Sequence, residues 1–165
     1  MSHISVSDNQ RTLLLDGKPF FWLADTCWSA FTNISDEEWE EYLDLRKEQG
    51  FNIIQINALP QWDRCGSELG LFPFPTEDGF RYDPSSLNED YFVRAAAMCE
   101  KAVEKGFIPA IVVMWCNFVP GSWAAKMQPF NILCEEHVEP VVKKICETFN
   151  PFDPILIVSG DTGFE

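Results

Sequence analysis

Histidine is scarce in this sequence, with only His3 and His137, and no Cys-x-x-Cys pair occurs among Cys27, Cys65, Cys99, Cys116, Cys134 and Cys146. Neither histidine shows ligand spacing, which argues against a zinc site and against a metal-dependent hydrolase; no metal and no cofactor are expected. Cysteines that fall singly inside apolar patterns read as reduced thiols, the state of a cytoplasmic protein. Basic side chains are also few: 12 Lys and Arg face 26 Asp and Glu, a formal net charge of -14. Phosphate backbones and anionic lipid need clustered cations, so nucleic acid and charged membrane surfaces are excluded as partners. No apolar run approaches the ~18 residues of a membrane span, and the amino terminus lacks the basic-then-apolar order of an export leader. A cytoplasmic location is expected.

What is present is apolar and aromatic. At 46% hydrophobic and 14% aromatic over 165 residues, the chain can bury one sizeable core, so one domain over residues 1–165 is expected. The segment from Thr12 to Ala24 turns about Asp16-Gly17, which predicts a hairpin whose second arm runs from Phe20 to Ala24 and ends in Asp25. Ser35-Asp36-Glu37-Glu38 opens a helix as a capping box, and Gly50 closes it. Phe51 to Asn57 reads as a strand. Residues 58–86 form a long connection rich in Pro, Gly and aromatics, a length that in a compact domain points to function. Asn88 caps a helix that stops at Gly106, and Phe107 to Trp115 forms the next strand. A third helix is expected from a cap at Asn131, broken or kinked near Pro140, to about Phe149. The last apolar run, Pro154 to Val158, is continuous rather than alternating, which predicts a strand buried on both faces.

This alternation of strand and helix gives an α/β fold with a parallel sheet. A doubly wound sheet and a (β/α)8 barrel both fit the order. Ala24-Asp25-Thr26-Cys27-Trp28 has no glycines for the phosphate turn of the first, and four strands are half the number the second requires.

Ligands of parallel sheets bind at the carboxyl ends of the strands. Those ends carry Asp25 and Trp28, then Asn57, Gln61, Trp62 and Asp63, then Trp115 and Asn117, then Asp161, with Glu165 beyond it. Rings that stack on a sugar, interleaved with Asp, Asn and Gln that bind hydroxyls, suit a neutral polyhydroxylated ligand. No prominent cation accompanies them, which disfavours a phosphorylated one.

Three motifs together resemble the apiosidase-like glycoside hydrolases: Phe21-Trp22-Leu23-Ala24-Asp25-Thr26-Cys27-Trp28, Gly50-Phe51-Asn52-Ile53-Ile54-Gln55, and Ile157-Val158-Ser159-Gly160-Asp161, with the strand end at Trp115. The likeness runs from about Arg11 to Asp161. It implies the amino-terminal half of a (β/α)8 barrel, with four parallel strands, three intervening helices and a short hairpin in front. It also implies cleavage of a glycosidic bond in a plant-type glycan, with Asp161 as general acid/base. Many relatives have Gly-Gly-Asp-Arg where this chain has Ser159-Gly160-Asp161-Thr162. A second catalytic carboxylate is expected from a later strand, outside this chain. Among residues present, Asp25, Asp63 and Glu165 are the candidates, with Asp25 preferred as a ligand to sugar hydroxyls. The open edges of such a half-barrel would be covered by the missing half or by a second copy. The alternative is a half-barrel that holds carbohydrate without cleaving it.

Overall fold

The computed structural model describes residues 4–61 and 68–162. Two sheets are present: an antiparallel one of β1 (Ile4–Val6), β2 (Leu13–Leu15) and β3 (Lys18–Phe20), and a parallel one of β4 (Ala24–Thr26), β5 (Ile53–Asn57), β6 (Ile108–Val112) and β7 (Ile155–Ile157) in that spatial order. Asp16 and Gly17 join β2 to β3 with φ of 51° and 77°, the pair of positive values that matches the twist of flanking strands. The hairpin is thus one strand larger than expected, because Ile4-Ser5-Val6 adds to β2.

The expected second arm, Phe20 to Ala24, is divided between the two sheets. β3 ends at Phe20 and the parallel sheet begins at Ala24. The Asn52 side chain holds the break open: its Nδ2 donates to the Phe21 carbonyl (2.7 Å) and its Oδ1 accepts from the Leu23 amide (3.0 Å). One amide thereby ties the small sheet to the amino ends of β4 and β5.

The helices are α1 (Ala30–Asn33), α2 (Asp36–Glu48), α3 (Glu89–Glu104) and α4 (Glu135–Phe149). The capping box of α2 is formed, with Ser35 Oγ accepting from the Glu38 amide and the Glu38 carboxylate accepting from the Ser35 amide. α2 and α3 stop by the same device. Gly50 and Gly106 take φ of 86° and 84°, and the following Phe51 and Phe107 donate back to Arg46 and Ala102 (3.0 and 2.9 Å). Each phenylalanine then leads directly into a strand.

Three expectations are corrected. Asn88 does not cap α3 with its side chain, which donates instead to the Phe72 carbonyl. Asn131 lies in a 3-10 turn, and its amide holds Tyr82 and Phe80 of the long connection; α4 starts after Cys134. Pro140 does not interrupt α4, which continues through it to Phe149.

Side chains from α2, α3 and α4, among them Trp39, Leu43, Phe92, Met98, Ile145 and Phe149, pack on Ile54, Ile56 and Ile111 of the sheet. Each fully buried apolar side chain of this size contributes about 1.5–3 kcal/mol. Residues 68–86 fold back on this core rather than looping away, with the Phe74 ring tilted against Tyr82 (centroids 5.8 Å apart) and Phe118 (6.5 Å). β7 departs from its expected burial on both faces: Leu156 is 41% exposed and Val158 81%. It is the outer strand of the described sheet, hydrogen-bonded on one side to β6.

Candidate active site

Parallel register brings the strand ends together. The Cys27 amide donates to Gln55, the Asn57 amide to Trp28, the Ala58 amide to Val112 and the Val113 amide to Ile157, all within 3.2 Å. Alternation along the strands then separates two faces. Asp25 is in register with Ile54, which packs under the helices, whereas Asn57 lies on the opposite face, in phase with Gln55 and Ile53.

Asp25 is accordingly bound to α2. Its carboxylate accepts from the Tyr42 hydroxyl (2.7 Å), from Arg46 Nε and from the Thr26 amide. Burial alone would raise its pKa, but the hydrogen bonds from Tyr42, Arg46 and the Thr26 amide outweigh burial and hold the carboxyl below its ordinary value. The neighbouring Cys27 thiol is pushed up to about 12 by burial, so it stays protonated. Asp25 is therefore an anchor between sheet and helix, facing away from Asn57. Its expected role as a hydroxyl ligand is corrected on that ground.

The remaining strand-end residues differ from it in one respect. Asn57 Nδ2 and Oδ1, Gln61 Nε2, Trp115 Nε1, Asn117 Oδ1 and Ser159 Oγ are buried and have no hydrogen-bond partner among the described residues. Buried polar atoms are almost always paired, because an unmet one costs about 1–3 kcal/mol. Several such atoms gather at the carboxyl ends of three neighbouring strands, β5, β6 and β7. Asn117 retains one long contact, from its Nδ2 to Gln128 Oε1 (3.5 Å). Trp28, just past the end of β4, is 44% exposed, and its backbone carbonyl accepts from the Asn57 amide.

Asp161 follows β7 in left-handed backbone conformation (φ 55°) and is exposed. Its carbonyl accepts from Trp123 Nε1 (3.1 Å). Burial raises the Cys116 thiol pKa, and the Asp161 charge raises it further. Gly160 lies so close to the Trp115 ring that a Cβ there would overlap ring atoms Cε3, Cζ3 and Cη2. Trp62, Asp63 and Glu165 lie outside the described residues.

Sequence reasoning missed Trp123, Gln128 and Ser159 as members of this cluster. Ser159 was visible within Ser-Gly-Asp, whereas Gln128 comes from an irregular loop with no periodicity to mark it. Two clefts lie elsewhere: one of about 500 Å³ along the connection from Pro75 to Asp83, and one of about 520 Å³ between Thr26 and Glu38 that includes Trp28. The first is lined by Glu77, Asp78 and Asp83, and Asp78 and Asp83 are spent on turn hydrogen bonds. His137, expected to have no metal-ligating company, has Cys134 and Glu136 within 4.8 Å at the start of α4.

The profile of the apiosidase-like catalytic domain matches residues 7–165. The chain belongs to that family. No curated protein is similar enough to count as a relative. Among solved structures, a glycoside hydrolase family 5 protein from Bacteroides vulgatus ATCC 8482 is 20% identical with a TM-score of 0.67, over 96% of this chain and 32% of that one. A second glycoside hydrolase gives the same identity and TM-score over 34% of its length. The endo-1,4-beta-mannanase of Rhizomucor miehei is 12% identical with a TM-score of 0.60, over 94% of this chain and 46% of that one. The apiosidase-like chain thus spans less than half the length of each, and at these identities the likeness concerns the fold. That fold is the first half of a (β/α)8 barrel, with the antiparallel sheet set before it.

Proposed function

We propose that this chain forms part of the active site of a glycoside hydrolase acting on a plant-type glycan, with Asp161 as general acid/base. The observation that carries the reading is the set of buried, unpartnered polar groups at Asn57, Gln61, Trp115, Asn117 and Ser159. A sugar offers hydroxyls that both donate and accept, so it can meet an amide nitrogen, an amide oxygen and an indole N–H at once. Trp28 and Trp115 supply ring surface for its apolar face. Trp62 and Asp63 belong to the same proposed site by their sequence position.

Glycosidic cleavage requires a protonated carboxyl to release the leaving oxygen and a second carboxylate to attack or to activate water. Asp161 takes the first role, donating its proton to the glycosidic oxygen and, in a retaining reaction, recovering one from water in the second step. Asp25 is left out of the second role because it faces α2. The second carboxylate is assigned to a segment outside the described residues. Its distance from Asp161, ~5–5.5 Å or ~6.5–9.5 Å, would set retention or inversion.

Aryl glycosides and pectic side-chain oligosaccharides, offered to the intact protein, test this reading. Asp161→Asn is expected to lower kcat by at least about 100-fold while sugar binding persists. A second reading, carbohydrate binding without cleavage, is favoured by the described strand ends offering, besides Asp25 bound to α2, a single acidic residue, Asp161. It would prevail if the intact protein bound oligosaccharide and never hydrolysed it.

A further inference from the structure

We infer that Trp123 is a positioning residue for Asp161, acting through the indole N–H that it donates to the Asp161 carbonyl. The inference rests on the acid/base role proposed above.

Asp161 adopts φ 55°, in the left-handed region that Asp tolerates better than most residues with a Cβ. It lies past the end of β7, where the ladder to β6 no longer supplies partners; the last bond of that kind runs from the Met114 amide to Val158 (3.3 Å). Two tryptophans take over from the ladder. The Trp115 ring packs against Gly160 with no room for a side chain, which fixes the position of the peptide before Asp161. Trp123 Nε1 donates to the Asp161 carbonyl at 3.1 Å, which fixes the peptide after it. With both peptides held, the Cα–Cβ direction of Asp161 is set, and only χ1 and χ2 are left to aim the carboxyl.

Trp123 is itself well placed to hold. It precedes the 3-10 turn Ala124–Lys126, which is anchored by the Ala125 amide donating to Ser122 Oγ (3.1 Å) and by Ser122 Oγ donating to the Cys116 carbonyl. Ala124 and Ala125 are buried. The clamp therefore ties the end of β7 to the structure that follows β6, across the mouth where the unpartnered polar groups lie. A proton donor displaced by a fraction of an ångström loses alignment with the glycosidic oxygen while the sugar stays bound.

The decisive substitution exchanges the one N–H for sulfur and keeps the fused aromatic ring. Replacing Trp123 in the intact protein by β-(3-benzothienyl)alanine, the sulfur isostere of tryptophan, is expected to lower kcat about tenfold and leave KM within about twofold, with an unchanged melting temperature. 5-Fluorotryptophan at the same position keeps the N–H and is expected to restore kcat. A benzothienyl variant as fast as the parent overturns the inference, as does a 5-fluorotryptophan variant as slow as the benzothienyl one. Asp161→Asn, assayed beside them, separates the two levels. If it is inactive while the benzothienyl variant runs at full rate, the acid/base role stands and the Trp123 role falls. If Asp161→Asn remains active, both fall.

Discussion

Trp39 and Trp115 make the most informative contrast in the molecule. Trp39, fully buried under the helices, donates its indole N–H to the Met98 carbonyl at 3.0 Å. Trp115, just past the end of β6, has its indole nitrogen buried and without a partner among the described residues. The same split separates Asp25 from Asn57. On the helix side each of these polar groups is answered: Asp25 by Tyr42, Arg46 and Thr26, and Tyr91 by the Ala58 carbonyl. At the strand ends, groups of equal burial are left open. One face is organised for stability, and the other keeps unmet hydrogen-bonding capacity that a ligand can fill.

The contrast can be broken on its stable side first. Trp39→Ala removes a large, fully buried ring together with its hydrogen bond to α3, so a loss of about 3–5 kcal/mol is expected in denaturant titration. A loss below 1 kcal/mol would show that the helix side is not the better-organised face. Asp25→Asn should cost about 1–3 kcal/mol, because Arg46 and Tyr42 lose a charged acceptor.

Acid should reproduce part of that second loss. The folded-state pKa of Asp25 lies below its ordinary value of 3.8, so its contribution is fully present above that value and disappears as pH falls through the depressed pKa. Wild type should therefore lose stability on acidification by more than Asp25→Asn does; equal slopes would remove the ion pair from the account. At the small end of the scale, Asn57→Leu replaces an unpartnered amide by an apolar group of similar size. Its stability should stay within about 1 kcal/mol of the parent or rise, while oligosaccharide affinity falls at least about tenfold. A strong destabilisation by Asn57→Leu would mean that the amide is already satisfied, and the site would lose its chief support.

The fold was legible where local chemistry and period agree. Ser35 to Glu38 carries the whole capping box, and Gly50 and Gly106 mark helix ends because a left-handed residue is required there. The order of strands and helices followed from these signals. It failed where long-range bonds override local ones. Asn88 and Asn131 look like caps in the sequence, yet each spends its amide on the long connection. Phe20 to Ala24 looks like one strand, yet Asn52, some thirty residues on, divides it between two sheets.

The site was legible to the extent that strand ends can be located. Trp28, Asn57, Gln61, Trp115 and Asn117 could be placed at strand ends because each follows an apolar run. Asp25 was misjudged because position along a strand does not tell which face a side chain takes. A shift of one residue reverses the face, and the partner on α2 is visible only in three dimensions. Gln128 and Trp123 sit in an irregular loop, and no pattern in the sequence could nominate them.

The amide of Asn52 ties the small antiparallel sheet to the starting ends of β4 and β5, away from the carboxyl ends where the unpartnered polar groups lie. Its exposed turn at residues 8–11 is consequently a convenient handle. A dye, a biotin or a solid support coupled there would hold the protein by its base, with the mouth directed toward bulk solution.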